Sequence, residues 1–255
     1  MRALRIPMES YNGRHIGCAP GTHAALVEMI RKHIKPQGAV VDIGTHSGAL
    51  LLRLKDAGFS DLTGTDLDPT RFDVPGAEFK RLELNAQFSS EFSKKFKLIV
   101  STDVIEHLDS PRNFLTEAHK MLDDDGWIAL SLPNVASWQG RLKFLFKGEL
   151  WGFGQKNYIF QRHISPITGE QMAMMMKEIG FDLVEFGSAG SFSTPLMNAL
   201  SFPIRVAFKA TSGLSPDGES AVFLARKVSP DLDLKAPIHY RQRWQGVADD
   251  IGLHA

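Results

Sequence analysis

Short apolar runs rich in β-branched residues alternate along this chain with stretches of helical periodicity, and that alternation constrains the fold more than any other feature. AVVDI (39–43), DLTGTD (61–66), EFKRLEL (78–84), KLIVST (97–102) and WIALSLP (127–133) read as successive strands. Each is too short for a helix, and the near-continuous apolar runs among them mark strands buried on both faces. Residues 22–34 place Leu26, Met29, Ile30 and Ile34 on one helical face, and 47–57 read as a buried helix. Ser110, with Pro111 at the first helical position, starts a helix in which Phe114, Leu115, Ala118, Met121 and Leu122 share a face. The pattern predicts an α/β fold, a Rossmann-like doubly wound sheet with helices on both faces.

The links between the second, third and fourth strands hold little helix, PTRFDVPG (69–76) above all. Thr168 and Gln171 have the spacing of a capping box, followed by Met172, Met175, Met176 and Ile179 on one helical stripe and Gly180 as the stop. The methionine stripe reads as core. FDLVEF (181–186) and SAVFLARKV (220–228) complete seven strands, and their long separation predicts an antiparallel last strand in a mostly parallel sheet. One domain is expected over 1–228, with insertions at 138–168 and 189–218 and a polar C-terminal tail over 229–255.

With 255 residues, 43% of them hydrophobic, the chain can bury one large core. Twenty-nine basic residues balance twenty-nine acidic ones, so no net field draws the protein onto nucleic acid or an anionic membrane. One cysteine, Cys18, excludes an internal disulfide and a multi-cysteine metal site, and reads as a small buried residue. No segment has the apolar core of a signal peptide, and no run approaches the roughly 18 apolar residues of a membrane span. A cytoplasmic protein without a membrane span is expected.

The segment 40–50, Val-Val-Asp-Ile-Gly-Thr-His-Ser-Gly-Ala-Leu, ends a strand with an acid, turns through glycines and enters a helix. Such a turn lets a ligand approach the backbone and the free N–H groups of a helix start. A dinucleotide fingerprint needs glycine at 44, 46 and 49, but 46 is His and 49 is Ala, which disfavours NAD. Asp42 would repel a pyrophosphate, yet a carboxylate there can hold the ammonium end of an amino-acid-bearing cofactor.

Here the chain resembles the class I S-adenosylmethionine (SAM)-dependent methyltransferases, whose first motif runs acid-x-Gly-x-Gly-x-Gly after the first strand. Asp42, Gly44 and Gly48 match, with Thr45 between them, and His46 stands in place of the middle glycine, which calls for a negative φ there. In GTDLDP, Asp66 falls where the family's ribose-binding acid ends the second strand, followed by Leu67. Glu83-Leu84-Asn85 resembles the adenine-side motif, with Glu83 as the contact and Asn85 as the alternative. STDVIEHLDSP (101–111), which opens on Ser101 and Thr102, resembles the fourth motif of a bacterial branch of the family, and SLPNV after the fifth strand matches again. The resemblance covers roughly residues 36–228. It implies SAM as cofactor, with Asp42, Gly44, Thr45, His46, Gly48, Asp66, Leu67, Glu83, Asn85 and Thr102 as its contacts.

Methyl transfer from a sulfonium is an in-line displacement, so the protein must chiefly align the acceptor and exclude water. For a hydroxyl acceptor a nearby base helps, and Asp103, Glu106 and His107, just after the fourth strand, are the first candidates. His163, before the capped helix, matches a histidine found there in the same branch and joins them. As a metal site, Asp103, Glu106 and His107 lack a full coordination sphere within one short segment, so no metal is expected. His15 and His23 flank the first helix, near enough to border the cleft, with exposed polar roles expected.

Residues 138–162 carry seven aromatic and five basic residues against one acid. An insertion after the fifth strand lies on the acceptor side, where this segment reads as a lid over an apolar or anionic small molecule. The Asp-Pro-Pro-Tyr and Asn-Pro-Pro-Tyr motifs of amino-directed DNA methyltransferases are absent, so DNA is not the expected partner. Oxygen is the expected acceptor atom. The alternatives are nitrogen or carbon of a small molecule, protein or RNA, and a catalytically silent SAM-binding protein, in a monomer or homodimer.

Overall fold

The computed structural model describes residues 8–211 and 217–230. A short hairpin, β1 (Ser10–Tyr11) and β2 (Arg14–His15), precedes α1 (Thr22–His33). Then come β3 (Ala39–Ile43), α2 (Ala49–Asp56), β4 (Asp61–Asp66), β5 (Glu78–Arg81), β6 (Phe96–Thr102), α3 (Pro111–Met121) and β7 (Leu122–Pro133). The second half holds α4 (Trp138–Lys147), α5 (Gln155–Gln161), α6 (Gly169–Ile179), β8 (Phe181–Ala189), α7 (Pro195–Thr211) and β9 (Ser220–Lys227).

Seven strands form one sheet in the order β5-β4-β3-β6-β7-β9-β8. Each pairing from β5 to β7 is parallel, and β9 runs antiparallel to both β7 and β8. The period of two along each strand sorts the core into two layers. Val40, Leu98, Val100, Ala129, Val222 and Leu224 meet Leu26, Ile30, Leu50, Leu51 and Leu54 of α1 and α2. Val41, Ile99, Ile128, Leu130, Phe223 and Ala225 meet Phe114, Ala118, Met172 and Met176 of α3 and α6. Helices therefore cover both faces, as the alternation predicts.

The capping box at the start of α6 is present: Gln171 N–H donates to Thr168 Oγ1 at 3.2 Å and Thr168 N–H to Gln171 Oε1 at 3.1 Å. Met172 and Met176 are fully buried, as core methionines should be. Two boundaries differ from expectation. β5 stops at Arg81, short of residue 84; the Leu82 N–H, donating to the Asp66 carbonyl at 3.1 Å, makes the last bond of its ladder with β4, which itself ends at Asp66. Leu122 does not continue α3; it pairs with Phe96 and opens β7. The insertions carry the helices α4, α5 and α7. The expected tail lies, from residue 231 on, outside the described residues. Among the described residues no helix is long and apolar enough to cross a membrane.

Candidate active site

The strand order reverses between β3 and β6, and doubly wound sheets bind ligands at the carboxyl edge of such a point. The loop from β3 to α2 lies there. Gly44 and Gly48 adopt φ values of 78° and 79°, a conformation glycine takes without the strain a side chain adds. A Cβ at Gly44 would stand 2.3 Å from Val104 Cγ2, and one at Gly48 2.2 Å from Val74 Cγ2, so side chains of the protein already fill the space beside both glycines.

His46 corrects an expectation, because its φ is +49°. The left-handed conformation costs a non-glycine residue about 1–2 kcal/mol, and two interactions hold it. Its N–H donates to Asp66 Oδ2 at 2.9 Å, and Arg71 Nη1 donates to its Nε2 at 2.7 Å. Burial, then the Arg71 charge, lowers the His46 pKa, so the ring accepts from Arg71 as a neutral imidazole.

Asp42 is buried at the end of β3. Its Oδ2 accepts the Thr45 hydroxyl at 2.8 Å, while Oδ1 has no partner among the described residues. Burial pushes its carboxyl up to about 7, with the Thr45 bond opposing and the Asp66 charge assisting. Asp66 itself accepts three N–H groups, from His46 at 2.9 Å, Leu67 at 2.7 Å and Asp68 at 3.4 Å. Farther along the edge, the Asn85 N–H donates to Glu83 Oε1 at 3.0 Å, and Thr102 Oγ1 lies 3.2 Å from His23 Nε2.

A cavity of about 790 Å³ takes its walls from all of these. Asp42, Gly44, Thr45, His46, Asp66, Leu67, Glu83, Asn85 and Thr102 line it, as do Asp103, Glu106, His107 and His163. Gly48 is the one expected contact not on this wall; it shapes the loop from behind. Several lining residues carry no motif, Gly17, Cys18, His15, His23 and Arg71 among them. His23 is 5% exposed, not the exposed polar residue expected, and burial drives its pKa down to about 3. The apolar spacing of α1 is the one signal that pointed to this: Leu26 and Ile30, three and seven residues on, share its inward face.

A second cavity of about 410 Å³ adjoins the first. Lys143 of α4, Trp151 and Gly152 of the following loop, Asn157 of α5, Phe192 and Glu219 line it. Gly17, Cys18, Asp103, Gln161 and His163 belong to both walls. Asp103 has φ +50°, its Oδ1 accepts the Ser131 hydroxyl at 2.6 Å, and burial pushes its carboxyl up to about 6.

Glu106 and His107 occupy a single helical turn after β6, and His163 arrives from beyond α5. The His107 and His163 rings meet edge to face, 4.7 Å between centroids. His163 Nδ1 donates to the Gly152 carbonyl at 2.8 Å; burial, then His107, lowers its pKa to about 4. Glu106 is 1% exposed, and neither carboxyl oxygen has a hydrogen-bond partner among the described residues. Burial, then the Asp103 charge, holds its pKa well above the usual carboxylate range. One carboxylate oxygen and one nitrogen from each ring lie within 4.8 Å of one another.

A family model described as a methyltransferase domain matches residues 17–186, from the Gly17 wall of the cavity to β8. The chain belongs to this methyltransferase family. Ribosomal protein L11 methyltransferase of Desulforapulum autotrophicum is 28% identical over 137 residues, which are 48% of this chain and 43% of that protein. The chain thus spans less than half the length of that curated relative. A SAM-dependent methyltransferase of Archaeoglobus fulgidus has the same fold, with a TM-score of 0.57 at 17% identity over 80% of this chain and 92% of the other. So does the N-methyltransferase NodS of Bradyrhizobium japonicum, solved with S-adenosyl-L-homocysteine (TM-score 0.52, 18% identity, 80% and 85% covered). Magnesium protoporphyrin IX methyltransferase of Synechocystis, also with that product bound, gives 0.52 at 13% identity over 80% of each chain.

Family and fold make this methyltransferase a class I enzyme, with SAM as its methyl donor. The site fits that group on its own chemistry. The buried, unpartnered Asp42 Oδ1 suits an ammonium, and the cavity volume falls within the range of about 300–1,000 Å³ that suits such ligands.

Proposed function

We propose that this methyltransferase methylates an oxygen of a small molecule held in the 410 Å³ cavity beneath the 138–168 segment. The observation that carries the reading is the wall shared by the two cavities, where Cys18, Asp103 and His163 face both. The larger cavity holds the cofactor: Asp42 takes its ammonium, Asp66 its ribose hydroxyls, and Glu83 or Asn85 its adenine, with the backbone of 44–48 alongside. SAM, when bound, supplies a methyl group on a sulfonium.

The smaller cavity suits a ligand of limited size with an apolar part, since Trp151 and Phe192 line it, and Lys143 can meet an anionic part by sharing the charge it now pairs with Glu149. With the donor bound, the acceptor oxygen would take the methyl group as its hydroxyl gave up the proton to Asp103, the carboxylate on the shared wall, and the sulfonium would leave as a neutral thioether. Glu106, His107 and His163 orient that oxygen. Both imidazoles stay neutral at pH 7, so they accept or ligate rather than donate charge. The 138–168 segment covers the acceptor, and 189–218 borders it through Phe192.

Methyl-tritiated SAM, incubated separately with small-molecule, protein and RNA fractions, tests this reading. Label in a small molecule, with a methoxy resonance in its NMR spectrum, is the expected result. Label on nitrogen or carbon, or in protein or RNA, would replace the acceptor assignment.

A further inference from the structure

The 138–168 segment brings His163 beside the turn that carries Glu106, whose carboxyl has no lysine or arginine partner among the described residues. We propose that Glu106, His107 and His163 are the ligands of one divalent transition-metal ion on the wall between the two cavities.

Four observations carry this. The three donor atoms converge to within 4.8 Å. Metal–ligand bonds of about 2.1 Å put donor atoms roughly 3–4 Å apart, so the set needs to tighten by no more than about 1–2 Å around an ion. Second, Glu106 is buried with both oxygens unpartnered. A buried carboxyl left this way is costly in either protonation state, because the neutral form also carries an O–H in need of an acceptor. Third, neither Glu106 nor Asp103 has a lysine or arginine partner among the described residues; the nearest basic atom to Glu106 is His107 Nε2, at 3.9 Å. A cation is the missing charge.

The fourth is the hydrogen bond from His163 Nδ1 to the Gly152 carbonyl. It fixes the proton on Nδ1 and leaves the Nε2 lone pair free, the outer-shell arrangement that metal-bound histidines use. Two imidazoles and one carboxylate favour zinc, iron or manganese over magnesium and calcium, which prefer all-oxygen shells. Three protein ligands leave coordination positions open toward the cavity. An acceptor oxygen would occupy one of them, and that role alone rests on the small-molecule reading above.

Cobalt(II) titration of the full chain, stripped with chelator and free of SAM, tests the site through visible d–d absorption. One equivalent is expected to bind, with His163→Ala and Glu106→Gln each weakening it by about tenfold or more. His163 is half-buried, so that variant keeps the test open should Glu106→Gln fail to fold, which circular dichroism would reveal. Absence of cobalt, zinc and manganese binding to the folded wild type, or equal affinity in both folded variants, overturns the site. SAM calorimetry on the same sample separates the two readings: SAM binding without metal binding sinks this inference and leaves the methyltransferase reading standing.

Discussion

The backbone N–H of His46 donates to Asp66 Oδ2 at 2.9 Å, so the carboxylate at the end of β4 also pins the loop after β3. Replacing Asp66 by alanine removes both the ribose acceptor and this tie. Affinity for SAM and for S-adenosylhomocysteine should fall roughly ten- to a hundredfold, about 1.5–3 kcal/mol. Calorimetry showing unchanged affinity would remove Asp66 from the cofactor site.

Gly44→Ala should destabilise the fold as well as the site. The new Cβ meets Val104 Cγ2 at 2.3 Å while φ stays near 78°. A loss of about 1–3 kcal/mol is expected in denaturant unfolding. Adding Val104→Ala should restore the part due to the clash and leave the backbone part. A double variant no more stable than Gly44→Ala would show that the clash is not the cause.

Asp42 sets a pH dependence. In the folded chain its carboxyl sits at about 7, raised from the ordinary 3.8, so folding holds a proton there between those values. The stability this contributes is complete below 3.8 and is lost as pH rises through about 7. An ammonium needs the charged form, so SAM affinity should rise between about pH 6 and 8, with proton release at the lower end. Asp42→Asn should flatten that slope. A flat wild-type profile would separate Asp42 from the ammonium.

NAD should not compete with SAM at comparable concentration, since His46 and Ala49 stand where a dinucleotide loop has glycine. Efficient displacement of bound SAM would overturn the cofactor assignment.

The parts legible in the sequence are those written in local periodicity. Val40 and Val41, or Leu98 and Ile99, alternate between the two core layers, and Thr168 with Gln171 announces α6 three residues apart. The positive φ of His46 was illegible, because it depends on Asp66 and Arg71, about twenty and twenty-five residues away, and not on histidine's own preference. His163 joins Asp103, Glu106 and His107 in the sequence only through the family resemblance; the contact itself is illegible, because two segments more than fifty residues apart meet only once α4 and α5 fold over the sheet edge. Cys18 is buried, as a lone small residue should be, but its place on the wall of both cavities follows from the N-terminal hairpin, which has no periodic signal.

A crystal structure with S-adenosylhomocysteine bound tests the division of the site most directly. The expected result places adenine by Glu83 and Asn85, ribose on Asp66, the ammonium on Asp42, and the sulfur at the shared wall of Cys18, Asp103 and His163, facing the smaller cavity. A sulfur turned away from that wall, or a product bound outside the larger cavity, would contradict it.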